Sequence, residues 1–350
     1  MMTYHAPMHA AVITKQGAPV APNIEFVTGW PEPQAGPHEM VIRTEASALN
    51  HMDLWVGMGI PGLDLTYPRI SGCDGAGIVE SVGEGVHESW VGRRVLLNAA
   101  TPVHTAPLPE VEPVPDDLRL IGEHTHGTHA AKFIAPVANI LDIGETDPAE
   151  AAAFALVHLT AWRMLWTRAR IRPGQWVLIT GIGGGVATAL LGIAKHFGCR
   201  TIVTSRSEAK LARARELGAE HGVLDTGEDW SREVRRITAK RGVDICADSV
   251  GKAIHGSCIR SLARGGTFVT CGSTTGPDAT TDLARIFWGQ LNVIGSTMGS
   301  MDEFRQVVAL LRSGAIRPVI DHVFPPAEAP QAWEKLEAAE QFGKIVIRWS

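Results

Sequence analysis

The sequence predicts an α/β protein with two domains, one rich in β-strands and one built on a doubly wound parallel sheet. Its 350 residues exceed what one compact core usually organises, so two domains are expected. Short β-type runs separated by Gly, Pro and Asn fill the first hundred residues. After Asp147, strands alternate with helices, which is typical of a parallel sheet with helices on both faces.

The N-terminal part is predicted to form the β-rich domain. Its strand candidates are Met8–Thr14, Met40–Arg43, Gly77–Glu80 and Arg94–Leu97. Five prolines between Pro102 and Pro115 predict an irregular loop. At Asp147-Pro148-Ala149-Glu150, a capping residue, a first-turn proline and a returning glutamate predict the start of a helix.

The alternating part follows the turn Arg172-Pro173-Gly174. Its predicted elements are, in order, a strand Trp176–Thr180, a helix from Val186, a strand Thr201–Thr204, a helix from Glu208, a strand Val243–Ala247, a helix around His255–Ala263, and strands Thr267–Cys271 and Leu291–Gly295. An amphipathic helix near Met301–Ser313 and a closing strand Lys344–Arg348 are expected to rejoin the first domain. The predicted domains are therefore residues 1–157 with 298–350, and residues 158–297.

The composition is that of an ordinary globular protein and excludes several function classes. Lys and Arg number 32 against 37 Asp and Glu, a formal charge of −5, and 45% of the residues are hydrophobic. Without a basic excess, nucleic acid is not an expected partner, and the apolar content argues against disorder. The expected partner is a small-molecule substrate.

The cysteines and the N-terminus predict a cytoplasmic location. The five cysteines are odd in number and never two residues apart, so neither a disulfide framework nor a CxxC metal knuckle is expected. No basic leader precedes an apolar core at the N-terminus. The nineteen uncharged residues Trp176–Ala194 are long enough for a membrane helix, but their glycine cluster divides them into strand, turn and helix, so no membrane association is predicted.

A glycine-rich turn carries the strongest functional signal. The strand Trp176–Thr180 leads into Gly181-Ile182-Gly183-Gly184-Gly185-Val186, and apolar residues at helical spacing follow. Glycines allow a sharp turn close to a pyrophosphate, whose charge is stabilised by the N–H groups at the helix N-terminus. With a strand before it and a helix after it, the turn predicts a dinucleotide site at Gly181, Gly184, Gly185 and Val186.

The end of the next strand predicts which dinucleotide binds. An NAD site usually has an acidic residue there for the ribose 2′-hydroxyl, but this chain has Ser205-Arg206-Ser207, with Lys210 one turn later. Arg206 matches the geometry of a phosphate, and Ser205 and Lys210 add donors. NADP(H) is therefore the predicted cofactor; the alternative is that Arg206 and Lys210 are only a solvated helix start.

With these motifs in place, the sequence resembles the medium-chain dehydrogenase/reductase superfamily over essentially its whole length. The matching segments are Leu49-Asn50-His51-Met52-Asp53, Gly72-Cys73-Asp74-Gly75-Ala76-Gly77, Leu159-Thr160-Ala161-Trp162, the glycine turn, Ser249-Val250-Gly251, Cys271-Gly272-Ser273 and Gly343-Lys344-Ile345-Val346. The resemblance implies a GroES-like β-rich catalytic domain and a Rossmann domain, with cofactor and substrate in the cleft between them. Within the superfamily, the chain looks like the zinc-lacking quinone oxidoreductase and enoyl reductase branch, which is related to the zinc-type alcohol dehydrogenases.

The chain departs from the zinc enzymes of this superfamily at each ligand. By the resemblance, Asn50 stands in place of the first Cys, Cys73 in place of His, Asp74 in place of Glu, and Leu156 in place of the last Cys. Leu cannot bind zinc and Asn is a poor ligand, so no zinc is expected. One alternative is zinc held by Cys73, Asp74 and His158. The four-Cys structural zinc lobe is also missing, and Met52 replaces the hydroxyl residue of the family's proton relay.

The resemblance also implies residue roles. Thr160, Ser249, Val250, Cys271 and Gly272 would line the nicotinamide. Asn50 and His51 are the predicted hydrogen-bond donors to the substrate, with His51 or water as proton source, and Asp53 is an orienting group or a helix N-terminal residue. A hydrogen-bonded structural His is the alternative for both His51 and His158.

His124, His126 and His129 form a His-x-His-x-x-His pattern in which a metal site is one alternative and polar loop residues the other.

The predicted function is NADPH-dependent, zinc-independent hydride transfer to a quinone or to the activated double bond of an α,β-unsaturated carbonyl compound. Such acceptors spread the developing negative charge without a metal. The alternatives are a zinc-dependent alcohol dehydrogenase with atypical ligands and a non-catalytic NADPH-binding regulatory or structural protein. The resemblance further implies a homodimer through the edge strand near Leu291–Gly295.

Overall fold

The computed structural model describes residues 7–101 and 118–350, and this part of the chain divides into two structural units. Unit 1 consists of the described residues of Met1–Leu156 with Ser300–Arg312 and Ile320–Ser350, and unit 2 of Val157–Gly299 with Ser313–Val319. The proline-rich segment Pro102–Pro115, predicted to be an irregular loop, lies outside the described residues.

The N-terminal part of unit 1 is β-rich. Its elements are β1 (Pro7–Ile13), β2 (Ile24–Pro31), β3 (Glu39–Ala48), α1 (His51–Met58), β4 (Asp74–Val82), β5 (Arg94–Leu97), β6 (Ala100–Thr101), β7 (Arg119–Leu120), β8 (Lys132–Pro136), β9 (Ile140–Asp142) and α2 (Pro148–Trp162). The predicted cap of α2 is present, because Asp147 Oδ1 accepts the N–H groups of Ala149 at 2.8 Å and Glu150 at 3.0 Å. The division between the units falls within α2.

Unit 2 alternates strands and helices. Its elements are β10 (Trp176–Ile179), α3 (Gly185–His196), β11 (Arg200–Ser205), α4 (Glu208–Glu216), β12 (His221–Leu224), α5 (Ser231–Ile237), β13 (Val243–Asp248), α6 (His255–Ser261), β14 (Leu262–Thr270), α7 (Leu283–Gly289) and β15 (Asn292–Gly295). The helix predicted to reach Ala263 ends at Ser261, because the chain turns directly into β14 at Leu262.

The strands of unit 2 form one parallel sheet in the order β12-β11-β10-β13-β14-β15. The chain builds outward from β10 in one direction and then returns to build from β13 in the other. Ligands of doubly wound sheets bind at the carboxyl ends of the strands around such a reversal. The fold therefore singles out the loops after β10 and β13.

The C-terminal part returns to unit 1. It contains α8 (Met301–Arg312), β16 (Ile320–Phe324), α9 (Ala329–Glu337) and β17 (Lys344–Arg348). The main sheet of unit 1 has the order β16-β17-β3-β4-β5-β9, and β17 runs antiparallel to β3 with Val346 opposite Ala48. Because antiparallel partners move in opposite directions, Lys344 lies beyond the end of β3, beside the residues that begin α1.

Each unit has its own apolar core. Unit 1 buries Met40, Phe133 and Trp333 among aliphatic side chains, and unit 2 buries Trp176, Cys258 and Phe268 between its sheet and helices. Residues Trp176–Ala194 divide between β10, the glycine turn and α3, as predicted. Among the described residues, no helix combines the length and apolar character that crossing a membrane requires.

Candidate active site

The glycine turn after β10 has the backbone that a dinucleotide site requires. Gly181 and Gly183 have φ angles of 63° and 116°, which side chains rarely tolerate. A Cβ at Gly183 would lie 2.7 Å from Lys210 Cδ, and one at Gly181 would lie 2.9 Å from Val250 Cγ2. Gly184 is the N-cap of α3, whose first turn carries no acidic residue, so its N–H groups favour an anion.

The predicted cofactor residues of four loops meet at the carboxyl edge of the sheet. They are Gly181, Gly184, Gly185 and Val186 after β10, Ser205, Arg206 and Lys210 at the end of β11, Ser249 and Val250 after β13, and Cys271 and Gly272 after β14. A Cβ on Gly272 would lie 3.1 Å from Ser249 O, which shows how closely the last two loops approach. Thr160 lies on α2 in the same unit and is buried.

Asp248, which the sequence analysis missed, holds the loop after β13 in place. Its buried carboxylate accepts hydrogen bonds from Thr180 Oγ1 at 2.6 Å, Val250 N at 3.1 Å and Gly251 N at 3.0 Å. Burial raises the pKa of Asp248, and these donors oppose the shift. Asp248 is therefore a positioning residue for Val250.

The end of β11 presents basic rather than acidic side chains. Arg206 is exposed, and the aliphatic part of Lys210 lies across the glycine turn. Ser205 and Ser207 use their hydroxyl oxygens locally: Ser205 Oγ accepts Ser207 N–H at 3.1 Å, and Ser207 Oγ caps α4 by accepting Lys210 N–H at 3.4 Å. The basic groups are therefore the main phosphate-binding candidates here.

In unit 1, Asn50 lies in a buried network rather than at an open surface. Its Nδ2 donates to Asp74 Oδ2 at 2.8 Å, and Cys73 Sγ and Ala48 O each lie 3.3 Å away. Both amide hydrogens of Asn50 are thus engaged within the protein. This arrangement competes with the predicted donation from Asn50 to a substrate.

Lys344, the first residue of β17, completes this network. Its Nζ donates to Asn50 Oδ1 at 2.6 Å, Leu49 O at 2.6 Å and Asp74 Oδ2 at 2.9 Å. The side chains of Lys344 and Asp74 are only 3% and 0% exposed, so this is a buried ion pair. The sequence analysis placed Lys344 in a matching segment but assigned it no role.

The residues at the positions of zinc ligands do not suit zinc. Burial, together with the charges of Asp74 and Asp53, raises the pKa of the Cys73 thiol well above its usual range. Leu156 contributes only its backbone N–H, which donates to Asp74 Oδ1 at 2.8 Å. A metal would have to bind beside the Lys344 ammonium, which already satisfies Asn50 and Asp74. In the described ranges, no three His, Cys, Asp or Glu side chains are grouped to hold a metal.

Asp53 is buried at the start of α1 and orients its neighbours. Its Oδ2 accepts Asn50 N–H at 2.7 Å, and its Oδ1 lies 3.3 Å from His129 Nε2. Burial alone would raise the pKa of Asp53, but the nearby His129 and the N–H donated by Asn50 hold it below the usual value. Asp53 is therefore a helix N-terminal residue that contacts Asn50 and His129, and its role beside a substrate stays a prediction.

His51, by contrast, is exposed on α1. Its ring meets Trp55 edge-on with the centroids 5.3 Å apart. The surrounding protein desolvates the ring and lowers the pKa of His51, although Asp53 opposes this shift. The imidazole is therefore neutral at pH 7 and retains an N–H that can donate.

The three histidines of the His-x-His-x-x-His pattern have separate structural roles. His124 Nδ1 accepts Leu120 N–H at 3.1 Å, and His126 Nδ1 accepts Ile70 N–H at 3.2 Å. His129 also lies in the loop, as predicted, but its ring is fully buried. Its Nδ1 lies 2.9 Å from Ser47 Oγ, opposite the contact with Asp53.

Comparison with known proteins gives consistent matches across the chain. The family model of the alcohol dehydrogenase GroES-like domain matches residues 36–145, and that of the zinc-binding dehydrogenases matches residues 185–313. The zinc-type alcohol dehydrogenase-like protein YogA of Leptosphaeria maculans is 31% identical over 334 residues, covering 90% of this chain and 92% of the relative. The 2-haloacrylate reductase of a Burkholderia species is 27% identical over 362 residues, 97% of this chain and 98% of the relative.

Solved structures give the same result. The crystal structure of an NAD-dependent alcohol dehydrogenase is 35% identical with a TM-score of 0.89, covering 98% of this chain and all of that chain (100%). These matches confirm the predicted combination of a GroES-like domain and a Rossmann-type parallel sheet. The chain therefore belongs to the medium-chain dehydrogenase/reductase superfamily and is an oxidoreductase of that superfamily.

Proposed function

We propose that the protein is an NADPH-dependent, zinc-independent reductase of quinones or of α,β-unsaturated carbonyl compounds. The observation that carries the proposal is the buried pair between Lys344 and Asp74, which also engages Asn50. Reduction of a simple ketone gains several kcal/mol from a metal acting as Lewis acid. At the position of the metal, the Lys344 ammonium already donates its hydrogen bonds to Asn50, Leu49 and Asp74. A substrate that delocalises its own negative charge therefore suits this site better than a simple ketone does.

The proposed chemistry is hydride addition to an electron-poor carbon. The glycine turn with Arg206 and Lys210 would hold NADPH, which would supply the hydride. The electron pair displaced from the double bond or quinone would move to the carbonyl oxygen. His51 donates its N–H to that oxygen, and water delivers the proton that completes the reduction. The 2-haloacrylate reductase is named for a substrate with an activated double bond, which supports this class.

Arg206 and Lys210 support a preference for the 2′-phosphate of NADPH. One similar structure is described as NAD-dependent, so the preference depends on these side chains of this chain. Replacing Arg206 by Ala is expected to raise the KM for NADPH by roughly tenfold and leave the KM for NADH unchanged, because one charge-assisted contact is lost. Arg232→Ala, an exposed change on α5, is the matched control. Equal effects on both cofactors would contradict the proposal.

The decisive experiment joins metal analysis with a substrate panel. Protein purified from zinc-supplemented medium without a chelator is analysed for zinc by atomic emission, and NADPH oxidation is followed with quinones, enones and simple ketones. The proposal expects turnover of quinones or enones that a chelator does not reduce. One zinc per chain together with alcohol oxidation would support the zinc-dependent alternative. Tight NADPH binding without turnover of any acceptor would support a regulatory or structural role.

The protein is further proposed to be a cytoplasmic homodimer. β15 is the edge strand of its sheet, with Val293 45% exposed, and Phe287 on α7 is 62% exposed. An uncovered strand edge beside exposed apolar side chains suits pairing with a second copy. Val293→Lys is expected to shift the mass measured by light scattering from two chains to one; a monomeric wild-type protein would contradict this part. The five free cysteines fit a reducing compartment.

A further inference from the structure

A cavity of about 530 Å³ lies on unit 2 at the edge of the sheet opposite the predicted cofactor loops. Arg241 precedes β13, Leu262–Arg264 begin β14, and Leu291 precedes β15, and all of them line the cavity. Because these strands are parallel, their first residues share one edge and the predicted cofactor loops share the other. The six residues of β13 separate the two edges by about 20 Å. The cavity is therefore distinct from the dinucleotide site.

The lining of the cavity carries an excess of positive charge. It contains Arg235, Arg241, Arg264 and Arg285 but only one acidic residue, Asp282. Of these four guanidinium groups, only that of Arg241 is paired with a carboxylate among the described residues, that of Asp244. The other three arginines outnumber the single acidic side chain of Asp282, so the cavity has a net positive charge.

The three remaining arginines differ in how firmly they are held. Arg235 donates to the carbonyl oxygens of Arg260, Lys240 and Leu262 at 2.8–2.9 Å, which fixes the group without neutralising it. Arg264 donates to Trp288 O at 3.1 Å. The Arg285 guanidinium has no hydrogen-bond or ion-pair partner within residues 7–101 and 118–350. Arg264 and Arg285 therefore keep most of their donors for a ligand.

The remaining surface of the cavity is apolar and aromatic. Ile259, Leu262, Ala263 and Leu291 contribute aliphatic surface, and the Trp288 indole, which is 70% exposed, lies on the same lining. Indole rings stack on planar heterocycles, and guanidinium groups bind phosphate oxygens in pairs. Cavities of this volume hold ligands of the size of a nucleotide.

We infer that this cavity binds a nucleoside phosphate, with its phosphate between Arg264 and Arg285 and its base against Trp288. A phosphate rather than a carboxylate matches the excess of more than one positive charge. The site lies outside the reductase chemistry, so it is independent of the proposed reaction. It shares α7 with the surface proposed for the dimer, which is why the test below also measures the oligomeric state.

The test measures binding of AMP to the full-length protein by calorimetry in the presence of saturating NADP⁺, which occupies the dinucleotide site. One AMP per chain is expected for the wild type. The double variant Arg264→Ala/Arg285→Ala should bind AMP at least tenfold more weakly, while the control Arg232→Ala, on α5 but outside the cavity lining, should bind as the wild type does. Trp288→Leu should weaken binding of AMP but not of inorganic phosphate, which separates the base from the phosphate contribution.

Several results would overturn the inference. These are absence of AMP binding to the wild type, unchanged AMP affinity in the double variant, and inorganic phosphate binding as tightly as AMP. Loss of the dimer in the double variant, measured by light scattering, would show instead that a second copy of the chain covers the cavity. Circular dichroism and melting temperature establish that each variant is folded, so weaker binding reports on the cavity.

Discussion

Replacing Lys344 by Met tests whether the buried network behaves as an ion pair. The substitution keeps most of the side-chain volume but leaves the Asp74 carboxylate, which is 0% exposed, without its cation. Asp74 Oδ2 would retain only Asn50 Nδ2, and Oδ1 would retain the Leu156 N–H. Removing one partner of a buried pair costs about 3–5 kcal/mol in the free energy of unfolding. In a domain of 150–250 residues this corresponds to a fall in Tm of roughly 10 °C.

Urea unfolding followed by circular dichroism measures this cost, with Arg305→Met as the matched control. Arg305 pairs with Asp302 on the surface of the same unit, with side chains 56% and 83% exposed, so its loss should change stability by less than about 1 kcal/mol. The double variant Lys344→Met/Asp74→Asn should regain part of the loss, because no charge is then left buried alone. A single variant as stable as the wild type, or a double variant that loses the sum of both single changes, would refute the reasoning.

Three further predictions concern the other site residues. Because the pKa of His51 is lowered below 6.5, the step in the pH profile of kcat/KM due to its protonation should lie below pH 6.5. His51→Gln should abolish this step yet keep a rate within about tenfold of the wild type, since Gln retains an N–H donor. His51→Leu should lower the rate by about 100-fold. Because the pKa of Asp53 is depressed in the folded protein, its carboxylate adds to the free energy of unfolding in full above pH 3.8, and this contribution is lost as the pH falls further. The urea midpoint of Asp53→Asn should therefore be lower than that of the wild type at pH 7. It should also fall less than the wild-type midpoint between pH 4 and pH 2. An Asn in place of Asp248 cannot accept both the Val250 and Gly251 N–H groups as the carboxylate does. Fluorescence titration of Asp248→Asn should therefore show an NADPH affinity reduced by roughly tenfold. Unchanged values in any of these three assays would contradict the role assigned to that residue.

The parts of the site that depend on nearby residues could be predicted from the sequence. The glycine turn, its flanking strand and helix, and the cap at Asp147 are local patterns, and the structure has them where they were expected. Asp248 also had a local signal, because a carboxylate at a strand end before Val250 and Gly251 favours an Asx-type turn. That signal was available in the sequence and was missed.

The buried network of unit 1 could not be predicted in this way. Lys344 and Asn50 are 294 positions apart and meet only because β17 pairs with β3 in one particular register. A shift by one residue would turn Lys344 to the other face of the sheet. No local pattern encodes that pairing, and the short elements that lead to it, β16 and α9, were also not anticipated. The departure from the zinc ligands could be read from the sequence. The presence of the Lys344 ammonium beside Asn50 and Asp74 could not.

His129 shows a similar limit. The spacing of three histidines indicated either a metal site or polar loop residues, yet the ring of His129 is fully buried between Asp53 and Ser47. Gly72, at φ 108°, makes room for it, because a Cβ there would lie 2.7 Å from His129 Cδ2. Such a close approach depends on packing between segments distant in sequence, which spacing alone does not report.

The buried ammonium has a consequence for where charge can develop during the reaction. Asp74 and Lys344 neutralise each other, whereas a divalent metal bound to the same residues would leave positive charge to stabilise an alkoxide. In the proposed reaction, the negative charge on the reacting oxygen would be stabilised by the substrate's own conjugation and by neutral donors. A neutral His51 N–H suits that requirement, because an oxygen that already shares its charge with a conjugated system needs a hydrogen bond more than a cation. Loss of Lys344 should therefore act on the stability of unit 1, and loss of the His51 donor on the chemical step.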